Sequence, residues 1–212
     1  MFEAEMGSAI TTALAAMSGW EIVAVILALA YLLLAMRENI ACWYAAFAST
    51  AIYTLLFWDV SLLMESALQV FYLVMAVYGW WQWRHHRDTQ RDLQIHRWPL
   101  RTHLVVFAVV GALTAIFGYV LEATTSAALP YLDSFTTWGA VITTFMVTRK
   151  VLENWIYWFV IDGVSIYLYL DRGLYLTAVL FMVYVVLVVV GFFHWYAIYR
   201  KEAQIPGTGV AA

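Results

Sequence analysis

Residues 149–162 read Arg149-Lys150-Val151-Leu152-Glu153-Asn154-Trp155-Ile156-Tyr157-Trp158-Phe159-Val160-Ile161-Asp162. A basic pair opens the stretch, and an aromatic and aliphatic run follows it as far as Leu170. A helix needs about 20 mostly apolar residues to cross the hydrocarbon core of a bilayer, and 151–170 meets that length. The same reading extends in both directions along the chain. Charged breaks such as Arg37-Glu38-Asn39 and Asp171-Arg172-Gly173 divide the apolar sequence into seven predicted spans: 18–36, 39–58, 60–83, 102–121, 131–148, 151–170 and 173–199. The expected fold class is an all-α integral membrane protein of seven transmembrane helices.

Composition agrees. Of 212 residues, 65% are hydrophobic and 12% charged, where a soluble domain is about half apolar and a quarter charged. Lipid can solvate that surplus of apolar surface, and a soluble core cannot enclose it. Three prolines and 11 glycines exclude a disordered or collagen-like chain. The single cysteine, Cys42, permits no intramolecular disulfide. The opening Met-Phe-Glu-Ala-Glu-Met lacks the basic region of a signal peptide and suits a short tail on the outer side.

Positive charge gives an independent test of the span count, because Lys and Arg gather in cytoplasmic loops. Placing the basic stretch from Arg84 to Arg101 in the cytoplasm puts 10 of the 11 Lys and Arg residues on that side. Arg172 alone falls outside, with Asp59, Glu122, Asp133 and Asp171. The expected orientation is N-terminus out and C-terminus in. The aromatics near span ends, such as Tyr78, Trp80, Trp81 and Trp83, read mainly as interface anchors.

A repeat organises the spans. Shifted by 112 residues, 37–83 aligns with 149–195 without a gap, with 12 identities in 47 positions. Arg37 meets Arg149, Trp43 meets Trp155, Asp59 meets Asp171, Tyr72 meets Tyr184, Gly79 meets Gly191 and Trp83 meets Trp195. Helices one to three and five to seven then run in the same senses, and the fourth inverts the chain between them (3+1+3). The domain plan is a periplasmic segment 1–17, a first repeat 18–83, a basic cytoplasmic loop 84–101, a linker helix 102–121, a second repeat 131–199 and a cytoplasmic tail 200–212. Parallel repeats of this kind are a transporter architecture, with the substrate expected near the midplane between them.

Polar groups at membrane depth are functional candidates by default. On the sixth span Trp155, Trp158 and Asp162 stand at i, i+3, i+7 and share a face, which Ser165 and Tyr169 extend. A mid-span carboxylate beside indole faces suits a flat cation, with roughly 0.5–2 kcal/mol for each good cation–π contact. The bland reading is a structural Asp with Trp as packing. On the third span Glu65, Gln69 and Tyr72 are spaced i, i+4, i+7, and Gln69 can donate to and accept from an amide or a hydroxyl. The repeat puts Trp43, Ala46 and Thr50 where the second half has Trp155, Trp158 and Asp162, so the two halves are chemically unequal. His85, His86, His96 and His103 lie in or beside the basic loop and read as solvated or headgroup-facing. No phosphate-binding Gly-rich loop, metal-ligand spacing or nucleophilic triad is present, so no ATP-driven pump, metal site, cofactor or catalytic residue is expected.

The run 149–162 resembles the sixth-helix signature of the PnuC-type vitamin transporters. Leu68-Gln69-Val70-Phe71-Tyr72 with Tyr78-Gly79-Trp80 resembles their third helix, and Leu129-Pro130-Tyr131-Leu132-Asp133-Ser134 the start of their fifth. The resemblance covers about 18–200. It implies a fold like that of full-length SWEET sugar transporters and a homotrimer in the bacterial inner membrane. It also implies facilitated diffusion of a vitamin precursor, most commonly nicotinamide riboside, kept moving inward by intracellular phosphorylation. By motif match Trp155, Trp158 and Asp162 would line the site, with Gln69 and Tyr72 opposite, and with Trp43 and Tyr184 as the repeat mates of Trp155 and Tyr72. The signature takes Asn or Asp at its last position, and here it is Asp162. Nicotinamide riboside and thiamine are both flat cations with hydroxyl groups, so the residues suit either. The rivals are a membrane enzyme using Asp162 and Glu65, a receptor that binds without transport, and a proton-coupled carrier using Asp162. No nucleic-acid partner is expected.

Overall fold

The computed structural model describes residues 11–12, 18–59, 63–88, 93–125, 129–171, 175–202 and 204. Most of the expected N-terminal segment 1–17, Arg172, the tail beyond residue 204 and the side chains of Glu65 and His86 lie outside the described residues. Seven long helices stand among them: α1 (Gly19–Met36), α2 (Cys42–Asp59), α3 (Leu63–Asp88), α4 (Leu100–Thr124), α5 (Pro130–Thr148), α6 (Asn154–Asp171) and α7 (Tyr175–Glu202). The all-helical expectation holds. By length and composition alone, α1, α4 and the stretch Thr177–Glu202 of α7 are apolar enough to cross a membrane. The other four carry more polar residues, such as Thr143, Thr144 and Thr148 on α5 or Asn154, Asp162 and Ser165 on α6, and these lower their hydropathy.

Local chemistry explains the helix ends. Ser18 caps α1: its hydroxyl accepts from the Glu21 amide at 3.1 Å, while the Glu21 carboxylate accepts from the Ser18 amide at 3.3 Å. Pro130 opens α5 at a position where its missing N–H costs nothing. Helix α3 runs past the expected end at 83 to Asp88, with Arg and His in its last turns at the negative end of the helix dipole.

Helices α2 and α6 begin at Cys42 and Asn154, each three residues later than expected, because the chain first makes a tight turn. Glu38 and Lys150 adopt φ of 51° and 53°. The Asn39 amide donates back to the Leu34 carbonyl, and the Val151 amide to the Met146 carbonyl, each at 3.0 Å. This is a Schellman-type helix end with a left-handed residue. Next, Cys42 bonds to Asn39 at 2.9 Å and Asn154 to Val151 at 3.2 Å. The pattern continues with Trp43 to Ile40 and Trp155 to Leu152. Every pair is related by the offset of 112.

The helices form two compact units, α1 to α3 in one and α4 to α7 in the other. In the first, α2 packs along both α1 and α3. Trp43, 2% exposed, covers Gly79, where any Cβ would run into the indole. Trp83 meets Trp43 edge-on at 5.3 Å and 85°, Tyr31 approaches it at 6.1 Å, and the buried Ser49 hydroxyl ties α2 to α1 by donating to the Ala24 carbonyl at 2.8 Å. In the second unit, α6 packs along α5 and α7, and α4 along α5. Trp155, also 2% exposed, covers Gly191 and meets Trp195 edge-on at 5.3 Å and 87°. Lipid tails are as apolar as the helix surfaces, so close packing of a large ring on a small residue is what holds such helices together. An aromatic pair of this geometry adds about 0.5–1.5 kcal/mol beyond burial.

Candidate functional site

The predicted stripe on α6 is buried or half-buried along its length. Asp162 and Ser165 are buried, at 4% and 5% exposure, and Trp158 is half-buried. Two aromatic contacts with α7 bracket the stripe. Trp155 meets Trp195 at one end, and Tyr169 meets Phe181 at 4.9 Å at the other. Those ends are about 21 Å apart at 1.5 Å per residue, and Asp162 lies midway. Tyr184, 5.3 Å from Phe181, belongs to the stretch of α7 between the two contacts.

Asp162 has no hydrogen-bond or ion-pair partner among the described residues. A buried carboxylate is expensive without a partner, a proton or a metal. What this place on α6 offers is therefore a buried carboxyl group with no protein partner among the described residues, an aromatic ring one turn before it and a hydroxyl one turn after.

The remaining predicted residues belong to the first unit. Gln69 and Tyr72 are half-buried on α3, and Tyr72 meets the Phe71 ring at 5.5 Å. Trp43 and Trp155 differ from Trp158. Each is covered by a glycine, packs perpendicular to a second indole and is 2% exposed, so neither offers an open face for stacking. Both indole N–H groups are buried without a partner among the described residues. Because the orphan donor occurs in both units, and only one carries the carboxylate, it belongs to the packing cluster rather than to the acidic stripe.

Residues that the sequence did not single out secure the start of α6. Glu153 is 7% exposed. Its carboxylate accepts from Arg97 Nε at 2.8 Å and from the Trp98 amide at 3.3 Å. The hydrogen bond to Glu153, and then its charge, hold the Arg97 guanidinium above its usual pKa. The His103 ring nitrogen Nδ1 pairs with the Tyr157 hydroxyl at 2.8 Å, and Phe107 stacks on Tyr157 at 5.6 Å. His103, expected to be solvated or headgroup-facing, is thus also engaged by α6. It is half-buried and bonded to α6, because Leu100 starts α4 close to the turn before α6. On the extended end of α3, His85 stacks on Trp81 at 5.3 Å.

Residues 18–197 match the family described as nicotinamide mononucleotide transporter. The chain belongs to that family. Among curated members, it is 26% identical over 167 residues to the nicotinamide riboside transporter PnuC of Escherichia coli, covering 67% of this chain and 70% of that one. It is 24% identical over 184 residues to the riboflavin/roseoflavin transporter RibM of Streptomyces davaonensis, covering 84% and 85%. The fold is similar to the crystal structure of the vitamin B3 transporter PnuC, with a TM-score of 0.69 at 19% identity over 93% of this chain and 89% of that one. The resemblance first seen in the α6 signature is thus borne out. This family is one of transporters, and the membrane-enzyme alternative falls with that finding.

Proposed function

We propose that this chain is a passive vitamin-uptake transporter whose substrate is a cationic B-vitamin precursor, nicotinamide riboside before thiamine. The observation that carries the reading is the buried Asp162, without a partner among the described residues, one turn from the half-buried Trp158. A flat cation with hydroxyl groups supplies the missing charge and stacks on the indole. Nicotinamide riboside has both features, and the name of the E. coli relative points the same way. Trp158 and Asp162 hold the cationic ring in this proposal. Ser165, Gln69, Tyr72 and Tyr184 are the candidates for its hydroxyl and amide groups. Trp43 and Trp155 are posts that keep their helices in place.

The proposed architecture is 3+1+3, with α4 inverting the chain between two parallel repeats. It is supported by the matched turns at Glu38 and Lys150 and the matched indole–glycine clusters. The charge distribution supports seven spans with the N-terminus out and the C-terminus in, and the E. coli relative supports a bacterial inner membrane. The chain works as a homotrimer by alternating access, and phosphorylation inside the cell traps the substrate.

One observation favours a second reading. The riboflavin transporter aligns over more of this chain than the nicotinamide riboside transporter does. Riboflavin carries no positive ring, so Asp162 would there only accept hydrogen bonds. Calorimetric binding of nicotinamide riboside, thiamine and riboflavin to purified protein, with counterflow in liposomes, separates these readings. Binding and counterflow of nicotinamide riboside, lost in Asp162→Ala, supports the first. Riboflavin binding alone replaces the substrate and leaves the transporter. Binding without counterflow makes the protein a receptor. Uphill accumulation under a pH gradient makes it proton-coupled.

A further inference from the structure

The two turns built on Glu38 and Lys150 share one backbone ladder but not one environment. The second carries an added strap, Ile95–Trp98. The His96 amide donates to the Lys150 carbonyl at 3.2 Å, and the Leu152 amide donates to the His96 carbonyl at 2.8 Å. These two bonds make a short parallel bridge between His96 and Val151. Ile95 is fully buried. Each oxygen of Glu153 then takes one donor from the strap, Arg97 Nε or the Trp98 amide. The equivalent of Glu153 in the first unit is Ala41, which has no carboxylate. Its amide is satisfied inside the turn by Asn39 Oδ1 at 2.9 Å.

The reinforced turn is the one that leads into the helix bearing Asp162. An unpartnered buried carboxylate favours any rotation or slide of its helix that returns it to water. A fixture at the first turn of a stiff helix opposes both movements. Trp158 and Asp162 follow Glu153, the residue just before α6 begins, by five and nine residues, so holding the start of α6 there sets the azimuth of both.

We propose that Glu153 is a positioning residue: through Arg97 and the Ile95–Trp98 strap it holds α6 at the azimuth and depth that present Trp158 and Asp162 to the substrate. The presentation rests on the functional reading above, whereas the anchoring of α6 does not. Glu153 itself is committed to the strap and touches no substrate.

The test uses full-length Glu153→Gln, Arg97→Ala and Arg97→Lys. Glu153→Gln keeps an acceptor for the Trp98 amide, so it isolates the ion pair. Three readouts are taken: hydrogen exchange over residues 152–158 without ligand, the thiol reactivity of an added Ser165→Cys, buried on the same face with Asp162 kept, and the Kd for nicotinamide riboside per folded protein. We expect Glu153→Gln and Arg97→Ala to speed exchange, raise thiol reactivity and weaken binding about three- to tenfold, the range for a charge-assisted bond with one exposed partner. Arg97→Lys should restore most of all three. Faster exchange with unchanged thiol reactivity and unchanged Kd would overturn the proposal, because the strap would then only tidy the loop. Unchanged exchange would overturn it too. If the wild-type chain binds no vitamin, the functional reading fails, and the thiol and exchange readouts still decide whether Glu153 anchors α6.

Discussion

Lys150 repeats the backbone of Glu38 at a distance of 112 residues: φ is 53° at one and 51° at the other, and these are the non-glycine positive-φ residues among the described residues. One side chain is basic and the other acidic, so what the two positions share is backbone. Each lets a helix stop, turn and restart within five residues.

That conformation costs an L-residue roughly 1–2 kcal/mol, and glycine avoids the cost. Lys150→Gly should be neutral to stabilising by up to about 1 kcal/mol, whereas Lys150→Val should destabilise by about 1–2 kcal/mol. Both remove the same amine, so the difference between their melting temperatures in detergent isolates the backbone term.

Gly191 is the floor on which Trp155 rests. A methyl added there would come within 2.6 Å of the ring. Gly191→Ala should therefore cost about 1–3 kcal/mol as α6 and α7 are forced apart, and Gly79→Ala should act alike through Trp43. Thermal unfolding followed by tryptophan fluorescence measures both. Unchanged melting would show that the rings can move aside.

Trp155 and Trp158 should separate by phenotype. Trp155→Ala should act on stability, by about 3–5 kcal/mol for a buried Trp truncation. Trp158→Ala should act on affinity, with about 0.5–2 kcal/mol of cation–π attraction lost, or about two- to thirtyfold in Kd. Trp158→Tyr should keep most of that affinity. Melting and calorimetry on the same preparations give both numbers. Equal losses of stability from the two alanine variants would remove the distinction.

Asp162→Asn should leave the fold intact and weaken a cationic vitamin selectively. A charge-assisted contact is worth about 1.5–3 kcal/mol, so Kd should rise about ten- to a hundredfold with little change for neutral riboflavin. Calorimetry on the two ligands checks this, and an equal effect on both would mean that the carboxylate acts as a plain acceptor.

Orientation can be read from a clean background, because Cys42 is fully buried. In intact cells an impermeant maleimide should leave the wild-type protein unlabelled. It should label Glu122→Cys, at the far end of α4, and miss Arg101→Cys at its start. The reverse pattern would invert the proposed topology.

The helices were legible in the sequence because apolar length and the spacing of charged breaks are local properties. The shared face of Trp155, Trp158, Asp162 and Ser165 was legible too, since helical period alone sets it. What the neighbouring helix presents to that face was not legible. Two indoles three residues apart look alike in sequence, and only tertiary packing puts one on Gly191 and leaves the other half-open. The late starts of α2 and α6 were hidden because a left-handed turn residue need not be glycine, and Glu38 and Lys150 carry no common signal. The strap was hidden for a related reason. It is a single bridge between residues 55 apart, with no periodicity to announce it, and a glutamate at the edge of an apolar run gives no sign of the arginine it will meet. Sequence decided which segments are helices and which faces carry polarity. Tertiary structure decided which of those side chains are already occupied, because occupancy depends on contacts between segments distant in the chain.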